Sequence, residues 1–368
     1  MAETMTKIDK LIDELCSEGV EYKELGDVIQ LEKGRQLNKE LLSEIGKYPA
    51  YNGGTFYSGF TDNYNYNENT IIISQGGASA GFVNFVTTKF YANAHCYVVL
   101  PKVEMVKNRF VYHFLKLNQN KLTEKQHGAG IPALRTNEIL KIKIPLPPLP
   151  IQEEIVKILD NFTELETELE TELETRKKQY EYYRDELLTF GDDVEFKELG
   201  DVCVFEYGKP LKDAERKEGD YPVMGSNGIV GFHDDYLIEA PCIIIGRKGS
   251  AGAINWVEDN CYPIDTTYYV KLKIGELNLK FLYQYLTNIG LTTKTQQGGV
   301  PGLNRNDAYL IKIPLPPLPE QERIVAILDK FDALVNDISI GLPAELEARR
   351  KQYEYYRGKL LTFREKVR

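Results

Sequence analysis

The sequence predicts an α+β fold: two globular mixed α/β domains joined by two long helices that form an antiparallel coiled coil, with a pseudo-twofold internal repeat. Three observations lead there. Residues 145–190 read PLPPLPIQEEIVKILDNFTELETELETELETRKKQYEYYRDELLTF, and residues 314–363 read PLPPLPEQERIVAILDKFDALVNDISIGLPAELEARRKQYEYYRGKLLTF. VEYKELGDV at 20–28 returns as VEFKELGDV at 194–202, an offset of 174. Between these blocks lie Gly-, Asn- and Tyr-rich stretches carrying short β-branched runs bounded by turn residues, which is a strand pattern. Self-similarity on this scale marks an internal duplication.

At the start of the chain, Met5, Ile8, Leu11, Ile12 and Leu15 fall at helical spacing, predicting a short amphipathic helix within residues 1–19. The first globular domain spans 20–150. In it TIIIS at 70–74 and YVVL at 97–100 predict strands, and KNRFVYHFLKLN at 107–118 predicts a helix. The second domain, 194–319, repeats the plan. TIIISQGGASAGFVNFV at 70–86 answers CIIIGRKGSAGAINWV at 242–257, each a strand, a Gly/Ser turn and a second strand. YPAYNGG at 48–54 answers YPVMGSNG at 221–228, and QHGAGIPAL at 126–134 answers QQGGVPGL at 296–303. Between these anchors the copies differ, so the scaffold is repeated and the surface is not.

Each PLPPLP stretch is a rigid lead-in to a helix, because proline breaks a strand ladder and is tolerated at a helix start. The first long helix occupies 151–193. Its apolar stripe is Ile155, Leu159, Phe162, Leu165, Leu169, Leu173, Tyr180, Tyr183 and Leu187, and no Pro or Gly lies between Gln152 and Phe190. At 1.5 Å per residue that run is roughly 55 Å long. The second, 320–368, offers Ile324, Leu328, Phe331, Leu334, Ile338, Leu346, Tyr353, Tyr356 and Leu360, with a break at Gly341, Leu342 and Pro343. A stripe this long requires a partner. The two helices are therefore expected to pair antiparallel as a spacer, with Leu165, Leu169, Leu173, Leu334, Ile338 and Leu346 in the seam. Residues 163–174 are three tandem Thr-Glu-Leu-Glu units, each adding about 6 Å of helix.

The net charge of −10 argues at first against a nucleic-acid partner. Residues 152–174, however, hold nine acids and one lysine, which leaves the rest of the chain near −2. DNA binding stays open. No apolar run reaches bilayer length, and the charged start lacks a signal-peptide core, so no membrane is expected. The five cysteines, Cys16, Cys96, Cys203, Cys242 and Cys261, are scattered without a CxxC pair, which suggests neither a disulfide framework nor zinc and fits a reducing cytoplasm. His95, His113, His127 and His233 show no metal-ligand spacing, and His95 with Cys96 reads as core. GRKGSAG at 246–252 lacks the terminal lysine of a phosphate-binding loop and reads as a hairpin turn. Glu21 with Lys23, and Glu195 with Lys197, lack the Pro-Asp that precedes them in a nuclease signature. No NPPY or DPPY motif of an adenine methyltransferase is present. No catalytic constellation and no metal site is predicted.

The duplicated PLPPLPxQExIVxILDxF, RKQYEYYRxKLLTF and VEYKELGDV blocks, with the opening KIDKLIDELC, resemble the specificity (S) subunits of type I restriction-modification systems over essentially the whole chain. The resemblance implies that 20–150 and 194–319 are target recognition domains 1 and 2, each reading one half of a bipartite double-stranded DNA site. Their unlike interiors imply an asymmetric site. It also implies that the paired helices set the distance between half-sites and dock two methyltransferase (M) subunits, which bind S-adenosylmethionine and modify adenine. Two restriction/motor (R) subunits are a further option. The chain itself would be non-catalytic and hold no cofactor. Two alternatives stay open: an S-like subunit of a type II enzyme, and a coiled-coil scaffold carrying two modules that bind something other than DNA.

Residue-level DNA contacts come from chemistry alone: Arg, Lys, Asn, Gln and Ser read base edges or hold phosphates. In polar loops at repeated positions the candidates are Lys33, Arg35, Asn52, Gln75, Ser79, His127 and Arg135 in the first domain. In the second they are Lys209, Asn227, Arg247, Lys248, Ser250, Gln297, Asn304 and Arg305. Arg247 and Lys248, adjacent bases at a Gly-rich strand turn, lead that set.

Overall fold

A computed structural model describes residues 2–124, 133–291, 295–296 and 302–366. The chain divides into two compact units, residues 1–170 with 345–368 and residues 171–344.

The first unit opens with α1 (Ala2–Cys16), β1 (Tyr22–Glu24), α2 (Leu25–Val28) and β2 (Ile29–Lys33). Next come β3 (Tyr48–Tyr51), β4 (Gly59–Thr61), β5 (Thr70–Ser74), β6 (Val83–Val86), β7 (Tyr91–Ala92) and β8 (Cys96–Pro101). Helices α3 (Asn108–Leu117), α4 (Gln119–Glu124) and α5 (Thr136–Leu140) precede β9 (Lys143–Pro145) and the long α6 (Leu149–Leu187). The central sheet is antiparallel in the order β2-β8-β5-β6, with Ile71 opposite Val99 and Ile72 opposite Val98. A three-stranded sheet β4-β3-β7 and the pair β1-β9 complete it.

Strand β5 shows why a β-branched run is needed here. Alternate side chains point to opposite faces, and both faces are covered. Ile71 and Ile73 pack with Phe110 and Phe114 of α3 and with Ile151, Ile155 and Leu159 of α6. Ile72 packs on the other side with Phe90, Ala92 and Val98.

The second unit repeats this order. It holds β10 (Phe196–Glu198), α7 (Leu199–Val202), β11 (Cys203–Tyr207), β12 (Tyr221–Gly225), β13 (Gly228–His233), β14 (Cys242–Gly246), β15 (Ile254–Val257), β16 (Tyr262–Pro263) and β17 (Thr267–Leu272). Then come α8 (Leu279–Ile289), β18 (Thr295–Gln296), β19 (Gly302–Leu303), α9 (Arg305–Tyr309), β20 (Lys312–Pro314) and α10 (Leu318–Val335). Three of its sheets run β11-β17-β14-β15, β13-β12-β16 and β10-β20, strand for strand the order of the first unit, and β18 pairs with β19 besides. Ile243 and Ile245 face Phe281, Ile324 and Leu328, while Ile244 faces Met224, Cys242 and Cys261.

The repeated Pro-rich lead-ins end on two buried glutamines. Gln152 accepts from the Lys107 amide at 2.9 Å and donates to the Pro147 carbonyl at 2.8 Å. Gln321 accepts from the Asn278 amide at 2.8 Å and donates to the carbonyls of Glu276 at 2.8 Å and Pro316 at 2.7 Å. In each unit this side chain ties the start of the helix to the start of α3 or α8, which accounts for the duplicated glutamine after PLPPLP.

Helix α11 (Leu342–Leu360) belongs mostly to the first unit and pairs there with the first half of α6. The ring of Phe162 stacks on Tyr356 at 5.5 Å, whereas Glu166 and Glu170 reach back to Arg350 at 2.6 and 2.5 Å. Advancing along α6 means retreating along α11, so the pair is antiparallel. In the second unit Tyr180 and Tyr183 stack on Phe331 of α10 at 6.1 and 5.7 Å. The last described residues return to the first unit: Val20 donates to the Arg364 carbonyl at 2.8 Å and accepts from Lys366 at 3.0 Å.

The residues expected in the seam are buried to unequal degrees. Leu346 is buried, Leu169 and Leu173 are half-buried, and Leu165 is 42% exposed. A four-residue step turns a helix by about 400°, so successive leucines of the Thr-Glu-Leu-Glu units drift about 40° around it. Leu334 is 38% exposed and Ile338 is 81% exposed, outside any helix. The helix break comes earlier than Gly341 because Asp337 captures the amides of Ser339 and Ile340, a local turn that competes with helix.

Candidate nucleic-acid interface

In both units the polar candidates gather at one end of the central sheet, where β2 and β5, or β11 and β14, finish. Lys33 closes β2, and Gln75 follows β5. The Gln75 amide donates to the His95 carbonyl, and its carbonyl accepts from Leu134 at 2.8 Å, just before α5. In the second unit the Arg247 amide donates to Thr266, and its carbonyl accepts from Leu303 at 2.9 Å, just before α9. Gln75 and Arg247 therefore hold the same strand-exit position. The offset of 174 likewise sets Tyr207 at the place of Lys33, and Lys209 at the place of Arg35.

Two glycine pairs make this sheet end possible. A Cβ at Gly34 would overlap the carbonyls of Ala92 and Asn93, and one at Gly208 those of Pro263 and Ile264. The chain leaves β2 and β11 against neighbouring backbone, where only glycine fits. In the turns after β5 and β14, Gly77 and Gly249 take φ values of 76° and 77°, a conformation that side chains disfavour.

In the second unit Tyr207, Arg247, Lys248, Tyr268, Asn304, Arg305 and Asn306 line an open cleft of about 360 Å³. Four of its lining residues, Arg247, Lys248, Asn304 and Arg305, are sequence candidates. The guanidinium carbons of Arg247 and Arg305 lie 5.2 and 5.3 Å from the centre of the Tyr207 ring, within cation–π range. Arg247 also donates from Nε and Nη2 to the Asp265 carbonyl at 3.0 and 2.7 Å, and Arg305 donates from Nη1 to the Phe205 carbonyl at 3.2 Å. Among the described residues none of Arg247, Lys248 and Arg305 forms an ion pair. Burial and the neighbouring Tyr207 push the Tyr268 hydroxyl up to about 12, keeping it neutral. Three uncompensated cations beside two phenol rings make a site suited to phosphates and base edges.

Other candidates are placed differently. Asn304 caps α9 through its own side chain, accepting from Asn306, so its role is structural first. Asn227 is exposed in the two-residue turn between β12 and β13. That turn is anchored beside Arg247, since Ser226 Oγ also donates to the Thr266 carbonyl at 2.9 Å. Lys209 and Ser250 are exposed. In the first unit Lys33, Arg35, Asn52 and Arg135 are exposed, Gln75 donates to the Tyr97 hydroxyl at 3.2 Å, and Ser79 is half-buried in the β5–β6 turn. His95, expected in the core with Cys96, is instead exposed at this sheet end. His127 and Gln297 lie outside the described residues. Sequence reasoning passed over Tyr207 and Tyr268; the 174-residue offset, carried on from Lys33, would have found Tyr207.

Among the described residues no helix is long and apolar enough to cross a membrane, and no group of three or more His, Cys, Asp or Glu is placed to hold a metal ion.

The family model described as the type I restriction modification DNA specificity domain matches twice, at residues 17–176 and 191–348. A Haemophilus influenzae protein assigned as a type I restriction enzyme specificity subunit is 34% identical over 99% of this chain and 100% of its own length. The EcoR124I/EcoR124II specificity subunit of Escherichia coli is 31% identical over 98% of this chain and 97% of its own. The fold is similar to the crystal structure of a type I restriction-modification S subunit from M. genitalium, with a TM-score of 0.68 and 24% identity, covering 93% of this chain and 96% of that one.

Proposed function

Because the chain belongs to the type I restriction-modification DNA specificity family, we propose that it is the subunit that chooses the DNA site for a modification and restriction complex. Each unit reads one half of a bipartite double-stranded site with the loops at the exits of its central sheet. The single observation that carries this reading is the repeated sheet end, built on the same backbone in both units but furnished with different polar side chains. One scaffold with two surfaces suits two unlike half-sites.

The chain's own residues supply recognition and position, while the chemistry belongs to partners: two methyltransferase subunits holding S-adenosylmethionine and acting on adenine, and restriction/motor subunits where a system has them. The chain would work in the cytoplasm, where that DNA is. Helices α6, α10 and α11 serve as the spacer, and the acidic Thr-Glu-Leu-Glu segment stays away from phosphates.

Co-expression with the methyltransferase partner, followed by genome-wide mapping of methylated bases, tests this. A two-part motif with a fixed gap is the expected result. Random methylation, or none, would overturn it.

A further inference from the structure

We propose that the strand-exit position shared by Gln75 and Arg247 carries the direct base contact in each unit, with Arg247 reading guanine in one half-site and Gln75 reading adenine in the other. This rests on the DNA-specificity reading above and goes beyond it by naming the bases.

The argument begins with the Arg247 guanidinium. Its Nε and one hydrogen of Nη2 are spent on the Asp265 carbonyl. Three N–H groups remain, and two of them, one on each of Nη1 and Nη2, form the distal edge, parallel and facing away from that carbonyl. This is the fork that matches O6 and N7 of guanine in the major groove. The carbonyl clamp and the Tyr207 ring at 5.2 Å hold the plane of the fork before DNA arrives, which lowers the ordering cost of binding. No carboxylate among the described residues competes for it. Its cleft neighbours are less suited to the task. Lys248 is a point charge without a fork, Arg305 is turned onto the Phe205 carbonyl, and the Asn304 amide is occupied in capping α9.

Gln75 stands on the same backbone position with a different edge. Its Nε2 donates once to the Tyr97 hydroxyl at 3.2 Å, which orients the amide, and Tyr97 is itself bonded to the Leu134 carbonyl at 3.0 Å. One N–H and the carbonyl oxygen of the amide are left. That donor–acceptor pair matches N7 and N6 of adenine.

The test is the methylation motif of the complex formed with its methyltransferase subunits, for the wild-type chain and for Arg247→Gln and Gln75→Arg. Arg247→Gln is expected to replace guanine by adenine, or to abolish a roughly 5- to 100-fold guanine preference, at one position of one half-site while the other half stays intact. Gln75→Arg is expected to move one position of the opposite half from adenine toward guanine. Arg247→Lys keeps the charge and lacks the fork, so it should weaken discrimination at that same position alone and supplies the answer should Arg247→Gln not assemble. A wild-type motif that neither substitution alters would overturn this inference and leave the specificity reading standing. So would a uniform loss of binding at every position with a shallower salt dependence, the mark of a phosphate contact. Absence of any two-part motif from the wild-type complex would strike the specificity reading instead.

Discussion

His113 Nε2 lies 2.7 Å from Asp160 Oδ1, while its Nδ1 lies 2.9 Å from the Tyr353 hydroxyl, so one buried imidazole joins α3, α6 and α11 in the first unit. Arg109 donates to the same carboxylate from Nε at 2.9 Å. Burial, with Arg109 and Arg357 acting in the same sense, lowers the imidazole below its ordinary value of 6.5, although Asp160 opposes them. A base held neutral in the fold binds more protons when unfolded, so its contribution is complete above about pH 6.5 and is lost as pH falls toward the lower folded value. Burial would raise Asp160, but the bonds from His113 and Arg109 outweigh it and bring the carboxyl below its ordinary 3.8, so that group acts only in strong acid.

Stability of the first unit should therefore fall as pH drops below about 6.5. Gln284 bonds Asp329 at the corresponding place in the second unit, so His113→Gln should retain a bond and flatten this pH profile. Urea unfolding of both proteins across that range, monitored by a probe on α3, checks it. A flat profile for the wild-type chain would remove His113 from the account.

Gln152 and Gln321 are fully buried, and each bonds backbone amides and carbonyls at the start of its helix. Replacing either by alanine strands buried amides and carbonyls, at a cost of about 1–3 kcal/mol per group left unsatisfied. Denaturant midpoints should drop for the unit that carries the change. Equal stability of Gln152→Ala and the wild type would show that water replaces the side chain.

The α6–α11 pair owes its strength to apolar contact. Phe162 is buried against Tyr353 and Tyr356, and Phe162→Ala should cost about 3–5 kcal/mol. Arg350 meets Glu166 and Glu170 near the surface, with half its side chain exposed, so Arg350→Ala should cost about 0–1 kcal/mol and less in high salt. Thermal unfolding at low and high ionic strength separates the two contributions.

Deleting one Thr-Glu-Leu-Glu unit from 163–174 removes about 6 Å of helix and turns the remainder of α6 by about 40°. At 3.4 Å per base pair the gap between half-sites should shrink by about one or two base pairs, with both half-sites retained. Motif mapping of the deletion variant decides it: changed half-sites with an unchanged gap would end the ruler idea.

The duplication, the strand–turn–strand cores and the long helices are legible in the chain alone, because these depend on local periodicity and on proline and glycine. TIIIS at 70–74 is the observed β5, and the helix expected at 107–118 is observed as Asn108–Leu117. The sequence also named four of the nine residues that line the cleft of the second unit, since paired bases beside a Gly-rich turn stand out in the chain. Other features needed the tertiary structure. Ile338 looked apolar and in register, yet the Asp337 turn ends the helix and leaves it in solvent. Tyr207 looked like one tyrosine among 24, and only folding brings Arg247 and Arg305 to its ring from 40 and 98 residues away. Arg247 was legible as a base, but which of its N–H groups remain free depends on a carbonyl 18 residues further on. Local pattern names the residue types, whereas long-range contacts decide which of their edges are left to meet a ligand.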